Sequence, residues 1–491
     1  MTDQLVITAT FGVYLIGMLG IGVWSFVRTH NLADYVLGGR SLGPLPSALS
    51  AGASDMSGWL LLGLPGYAYA SGLEAIWIAL GLFVGTWCNW RIVARRLRIY
   101  SAAAGDALTL PDFFAKRFDD STHGLRVVCA VFIVLFFAFY TSAGLVAGGK
   151  LFESAFGLDY RIAVGVGAVA VVSYTLFGGF LAVAWTDVVQ GLLMLVALIV
   201  VPIVVIGANG GGEATVTALR TENVALLNPL TMAAGDPLGV LALLSLLGWG
   251  LGYFGQPHVL ARFMAIRSEK EVPAARRTAV AWTGISLAGA LLAGCAAIAY
   301  FDAPLADAER VLIELMAVLF HPAVAGVLLA AILAAIMSTA DSQLLVASST
   351  LAQDFYRALL RPAASRGELL AVGRIAVAAI AIVATLIALD PESNVLAIVS
   401  YAWAGFGAAF GPALIFSLFW RRTTRAGVFA GIVVGGVVVI GWKQLSGGLF
   451  DLYELVPGFV LSAASVAVVS AFTTPASRSV LDRHDRLFSA G

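Results

Sequence analysis

Thirteen long apolar stretches run through this chain. Each approaches or exceeds the roughly 20 residues that a helix needs to cross a bilayer. They cover 5–27, 44–71, 74–95, 126–149, 161–180, 184–207, 236–260, 278–301, 311–341, 369–389, 394–420, 424–442 and 455–474. A water-soluble fold has no surface on which to place them. Of 491 residues, 60% are hydrophobic and 12% are charged, against roughly a quarter charged in a soluble domain. Lipid is therefore the expected solvent. In lipid every backbone polar group must be satisfied within the protein, so the expected class is all-α and polytopic, with about 13 transmembrane helices. The first stretch lacks a basic segment before it and is long enough to span, so it reads as a helix and not a leader.

The charges between the stretches orient the chain. With the N-terminus outside, all 29 Lys and Arg residues except Lys150, Arg161, Arg220, Arg310 and Lys443 fall on the inner side. Arg28, Arg40, Arg117, Arg126 and Arg262 are among the inner ones. The positive-inside rule then predicts N-out, C-in and an odd helix count. Zero formal net charge argues against nucleic acid as the main partner. Cys88, Cys129 and Cys295 are too few and too scattered for a disulfide framework or a metal site. His30, His123, His258, His321 and His484 show no ligand spacing. No Walker A lysine motif, HExxH or GxSxG occurs, so neither ATP-driven transport nor hydrolase chemistry is expected. The chain reads as a non-enzyme without a cofactor.

Two stretches carry runs that break helices. The second contains Gly52-Ala53-Ser54-Asp55-Met56-Ser57-Gly58, then Gly63 and Pro65. The seventh contains Gly248-Trp249-Gly250-Leu251-Gly252-Tyr253-Phe254-Gly255-Gln256-Pro257. The breaks lie five helices apart. Five is odd, so a second five-helix unit would enter the membrane from the opposite side. Paired breaks in inverted repeats point to a transporter binding site. The chain then divides into a leading helix and inner loop (1–43), a first repeat (44–207), a second repeat (236–420), trailing helices (424–474) and a cytoplasmic tail (475–491), as one membrane transport domain over 1–491.

Several residues stand out as candidates. Asp55 is the one charged residue between Ser41 and Leu73. A carboxylate at that depth marks a cation site, or else an ion pair or a protonated, hydrogen-bonded carboxyl. The ninth stretch carries Ala335-Ile336-Met337-Ser338-Thr339-Ala340-Asp341-Ser342. The Ser338 and Thr339 hydroxyls and the Ala335 carbonyl offer hard neutral oxygens, which with unwound carbonyls near Ala53 and Met56 suit sodium. The same hydroxyls also serve ordinary helix packing. Trp249, Tyr253 and Pro257 recur at i, i+4 and i+8, the spacing of one helix face. With Trp59 and Tyr140 they form either a pocket for a small ring or plain bundle core. Asp187 reads as a gate or as an interfacial helix cap. Arg40 reads as part of an inner gate or as a snorkelling anchor.

At these residues the chain resembles the sodium/solute symporter family. The blocks are LGGRSLGP (37–44), SAGASDMSGWLLLGLPG (50–66), GGFLAVAWTD (178–187), LLGWGLGYFGQPHVLARFMA (246–265), ILAAIMSTADSQLL (332–345) and SYAWAGFGAAFGP (400–412). They look most like those of the family's bacterial proline carriers. The resemblance implies a leucine-transporter-type fold, with two inverted five-helix repeats plus one leading and two trailing helices. It implies L-proline as substrate, Na+ as coupling ion, and a bacterial inner membrane with the N-terminus periplasmic and the C-terminus cytoplasmic. It implies sodium on the carbonyls of Ala53, Met56 and Ala335 and the hydroxyls of Ser338 and Thr339, with Asp55 essential for coupling. Ser57, Trp59, Gly63, Tyr140, Trp249, Tyr253 and Pro257 would line the substrate site. Asp187 would assist ion entry or release, and Arg40 the inner gate. One departure is Asp341, which stands where some of those carriers have a small neutral residue and bears on sodium against proton selectivity. The rivals are the same machine carrying a different small solute or amino acid, and a ligand-sensing membrane module.

Overall fold

The computed structural model describes residues 2–26, 37–175 and 179–488. Arg28 and His30, and residues 176–178 of the fifth stretch, Gly178 among them, lie outside the described residues. Helix formation follows the apolar stretches closely. The chain opens with α1 (Thr2–Phe26) and α2 (Pro44–Asp55). A π-helical turn (Trp59–Gly63) then leads into α3 (Leu64–Ser71). Next come α4 (Ile76–Cys88), α5 (Ala94–Ala103) and the short α6 (Leu110–Arg117). The first half closes with α7 (Gly124–Phe156), α8 (Tyr160–Thr175) and α9 (Phe180–Ala208). The segment after α9 holds α10 (Gly212–Glu222).

The second half begins with α11 (Val240–Gly248), a 3₁₀ segment (Trp249–Gly255) and α12 (Pro257–Ala265). It continues with α13 (Val272–Ile298), α14 (Val311–Leu319) and α15 (Pro322–Ser349). Then follow α16 (Arg366–Ala388) and α17 (Val395–Phe419). The chain ends with α18 (Arg425–Trp442), α19 (Leu455–Phe472) and α20 (Arg478–Phe488). No strand occurs among the described residues, which leave only the isolated bridges Leu42–Ile266 and Thr231–Pro237.

By length and apolarity the described residues give ten spans, or eleven with the bent pair Val240–Gly255 and Pro257–Ala265, which does not confirm the count of thirteen. Two places account for the difference. The apolar run Trp59–Ala103 counts once, at 45 residues. As one straight helix it would be about 68 Å long, more than twice the hydrocarbon thickness. Gly72, at φ 65° and ψ −140°, ends α3 and divides the run. The other place is α8, whose apolar part is short. The ninth stretch also differs from its expected single helix. His321 is extended (φ −58°, ψ 142°) and Pro322 opens α15, so 311–341 is two helices. Proline disfavours a helical residue before it and lacks the N–H that would continue the ladder.

The core forms around α7, α15 and α17, which are buried through most of their length. α15 packs against α1, α2, α7 and α9, and α17 packs against the 3₁₀ segment, α7, α18 and α19. The polar tail is not a bare segment: α20 buries Val480 and most of His484. Arg483 donates to the Lys116 carbonyl at 2.9 Å, and Arg421 pairs with Asp485 at 2.9 Å.

Candidate ion and substrate site

α2 stops at Asp55 because Met56 takes φ −88°, ψ 80°, which no helix continues. The freed Asp55 carbonyl becomes a junction. It accepts the Ser57 backbone N–H at 3.1 Å, the Trp59 indole N–H at 3.1 Å and the Tyr140 hydroxyl at 2.9 Å. Three of the expected substrate-lining residues thus meet on one backbone oxygen. All are buried.

Two residues earlier, the Ala53 carbonyl faces α15. It accepts the Ser338 hydroxyl at 2.7 Å and the Thr339 hydroxyl at 3.3 Å. Ser338 also donates to the Ala335 carbonyl at 3.1 Å. Four of the five oxygens expected to hold an ion therefore converge between two helices. The Met56 backbone lies at the break itself. Among the described residues no group of three His, Cys, Asp or Glu side chains is placed to hold a metal. The converging set is neutral oxygen, which suits a hard monovalent cation better than a transition metal. Asp55 is 2% exposed and its carboxyl faces the Tyr253 hydroxyl.

The second break is built differently from the expected face. Residues 249–255 form a 3₁₀ helix, and the chain bends by 46° into α12. A 3₁₀ helix has about 3.0 residues per turn, so i and i+4 no longer stack. Trp249 lies 6.4 Å from Trp59 and stacks on Tyr453 at 5.5 Å, whereas Tyr253 stands edge-on to Trp403 at 5.0 Å. Pro257 begins α12 beyond the bend. Trp59, Trp249 and Tyr140 are still brought to the α2 break. The Tyr253 hydroxyl is buried between the Asp55 carboxyl and the Thr86 hydroxyl and interacts with both. Gly63 faces Leu396 and opens onto a cavity of about 740 Å³.

Asp187 is not an interfacial cap. α9 starts at Phe180, so Asp187 sits two turns in, fully buried. It accepts the Ser50 hydroxyl at 2.7 Å and pairs with Arg262 at 3.1 Å. Arg262 is fully buried as well. It also donates to Ser50, to the His258 carbonyl and to Ser342. Asp341 lies in the same buried region: its Oδ1 accepts the Thr175 hydroxyl at 2.5 Å and its Oδ2 has no partner. Arg40 is not a snorkelling anchor. With φ 53°, it donates to Asp106 at 2.7 Å, Ser101 at 3.1 Å and the carbonyls of Met264 and Ala107 at 2.6 and 2.8 Å. It ties the segment before α2 to the ends of α5 and α12.

Sequence reasoning missed four buried side chains that hold these breaks. Arg262 counted only as an inner cation. Its setting, Val259-Leu260-Ala261-Arg262-Phe263-Met264, carried the signal of a charge inside an apolar helix. Asn89 donates to the Tyr253 carbonyl at 2.9 Å. Gln256 donates to the Gly252 carbonyl at 3.0 Å, and the Trp403 indole donates to the Trp249 carbonyl at 2.7 Å. Backbone freed at membrane depth requires such partners.

Opposite the inner network, charged residues line the 740 Å³ cavity. Lys150, buried, pairs with Glu309 at 2.7 Å and Asp307 at 2.9 Å. Glu309 accepts the Val395 and Leu396 N–H groups at 2.9 Å each and so caps α17. Burial pushes the Asp307 carboxyl up. Lys150, the Glu309 N–H and Arg310 outweigh that and hold it below its ordinary value.

Two interrupted helices inside an all-helical bundle, one of them setting buried neutral oxygens against α15, are the arrangement of an alternating-access membrane carrier. The chain belongs to the sodium:solute symporter family, whose sequence pattern matches residues 35–435. It is 50% identical over 468 residues to the sodium/proline symporter of Escherichia coli (strain K12), covering 94% of this chain and 92% of that one. It is also 50% identical over 470 residues to the high-affinity proline transporter PutP of Bacillus subtilis (strain 168), covering 95% and 98%. A Na+-coupled sialic acid symporter, solved substrate-bound and outward-open, shares the fold at 20% identity and a TM-score of 0.78, over 96% of this chain and 99% of that one. The chain is a multi-pass membrane transporter of the leucine-transporter type.

Proposed function

We propose that the chain couples inward sodium flow to uptake of L-proline by alternating access. One observation carries the reading. Residues 53 and 55 of a single break serve two sides: the Ala53 carbonyl meets Ser338 and Thr339, and the Asp55 carbonyl meets Ser57, Trp59 and Tyr140. An ion and a substrate on these two sides would share one strip of backbone.

Sodium binds between α2 and α15, on the carbonyls of Ala53, Met56 and Ala335 and the hydroxyls of Ser338 and Thr339. Both hydroxyls then turn lone pairs toward the ion. Asp55 supplies the nearby negative charge. Binding orders the α2 break, and proline binds beside it. Ser57, Trp59, Gly63, Tyr140, Trp249, Tyr253 and Pro257 line that site. The ring packs on aromatic faces, and the ammonium meets their π clouds, worth about 0.5–2 kcal/mol. By linkage, proline tightens sodium by the factor by which sodium tightens proline. The repeats are 44–207 and 236–420, preceded by 1–43 and followed by the trailing helices 424–474 and the tail 475–491, all within one transport domain. Asp187 serves ion passage and Arg40 the inner gate, while Asp341 bears on ion selectivity. The relatives' names support proline. The N-terminus is periplasmic and the C-terminus cytoplasmic in a bacterial inner membrane. Support for that orientation is the gathering of Arg40, Lys116, Arg425 and Arg483 contacts at one end and of Lys150 and Arg310 at the other.

Equilibrium binding of labelled proline to the purified carrier tests this. Replacing sodium with choline at fixed ionic strength should weaken proline binding at least about tenfold, the reciprocal effect appearing on sodium. Proline binding that ignores sodium would overturn the coupling, and sodium-dependent binding of another solute alone would overturn the substrate.

A further inference from the structure

We infer that Trp403 is a positioning residue for the substrate wall, acting through the 3₁₀ segment 249–255. This rests on the reading of Trp249 and Tyr253 as pocket residues. Trp403 lies in α17, outside both broken helices, and its side chain is fully buried. It touches the segment in three ways. Its indole N–H donates to the Trp249 carbonyl at 2.7 Å. Its ring meets the Tyr253 ring edge-on, at 5.0 Å and 90°. Its own carbonyl accepts the Gln256 amide at 3.3 Å, while the same amide donates to the Gly252 carbonyl at 3.0 Å.

The packing leaves no slack for another arrangement. A Cβ on Gly252 would lie 1.9 Å from the Trp403 indole nitrogen. A Cβ on Gly255 would lie 2.1 Å from the Phe406 carbonyl oxygen, and one on Gly407 would lie 2.7 Å from Gly252 Cα. α17 therefore runs against bare backbone of the segment at Gly252 and Gly255. The indole replaces a ladder bond that an unbroken α11–α12 helix would make, since a carbonyl freed in a dry interior must find a donor. Without that donor the Trp249 carbonyl keeps only the weaker i→i+3 bond of the 3₁₀ turn, and the segment is free to rotate toward better pairing. Rotation moves the Trp249 and Tyr253 rings together. The α17 N-terminus is itself held by Glu309 beside the outer cavity. Trp403 thus links the pocket wall to the helix that the outer charged cluster caps.

The test is transport kinetics of Trp403→Phe and Trp403→His beside Trp249→Ala, each normalised to folded carrier. Trp403→Phe removes the N–H and keeps an aromatic ring. It should raise the proline KM on the order of tenfold, with turnover at saturating proline and the half-saturating sodium at saturating proline close to wild type. Trp403→His restores a ring N–H and should recover part of that loss. A merely structural role would lower the amount of folded carrier and leave KM alone. Should Trp403→Phe not fold, Gln256→Met, which removes the other bridge, should raise KM in the same direction. Wild-type KM in Trp403→Phe, or equal losses in Phe and His, would overturn the positioning role while a raised KM in Trp249→Ala left the pocket standing. Wild-type KM in Trp249→Ala would overturn the pocket reading and this inference with it.

Discussion

Asp55 contributes through two groups that point to different partners. Its carbonyl gathers Ser57, Trp59 and Tyr140, while its buried carboxyl faces the Tyr253 hydroxyl. The neighbouring oxygens at Ala53 and Ala335 are backbone and survive any substitution, so the removable oxygens of the proposed ion site are the Ser338 and Thr339 hydroxyls. Thr339→Val keeps the shape and deletes one ligand; Asp55→Asn keeps the shape and deletes the charge. Each should raise the sodium needed for half-maximal uptake by about tenfold or more, or about 1.4 kcal/mol. Unchanged sodium dependence in both variants would remove them from the ion site. Asp55 was legible because a carboxylate inside a Gly-rich break is rare at membrane depth, and Ser338 and Thr339 because adjacent hydroxyls one turn from a free carbonyl offer hard oxygens. Arg262 was not, because its meaning lies in Asp187 and Ser342, each at least 75 positions away in sequence.

Among elements, the two breaks were legible and their form was not. Glycine and proline runs marked 52–58 and 248–257, yet nothing local distinguishes a 3₁₀ segment from a plain kink. That choice is made by α4 and α17: Gly250 lies so near α4 that a Cβ there would sit 2.2 Å from the Gly81 carbonyl oxygen. The short helices α6 and α20 were also missed, since neither carries an apolar run long enough to announce itself. α20 has a pH-dependent attachment. His484 is buried against Tyr100, with Arg117 and Arg96 nearby and Asp485 on its own helix. Burial, then the Arg117 charge, holds its pKa below the ordinary 6.5. The docked state thus binds fewer protons than the released one. Docking is at full strength above 6.5 and weakens as pH falls through that value toward the lowered one. A fluorophore on a single cysteine at Ser479 should become more mobile between about pH 7.5 and 5.5, and His484→Gln should abolish the change. A pH-independent signal in the parent chain, or the same response in His484→Gln, would contradict this.

For the whole molecule, the apolar stretches and the parity of basic residues made the class and the proposed orientation readable, because lipid imposes both rules on any chain. The helix count was less readable, since Pro322 divides the stretch 311–341 at a point that hydropathy alone passes over, whereas the division at Gly72 had already shown between 71 and 74. Proline rests on likeness to named relatives and on the aromatic wall, sodium on four converging oxygens and the family. The two meet in transport. Purified carrier in proteoliposomes should accumulate labelled proline above the outside concentration when sodium is imposed outside, and a proton gradient without sodium should drive little. Accumulation that is equal under both gradients, or absent while another solute accumulates, would contradict the account.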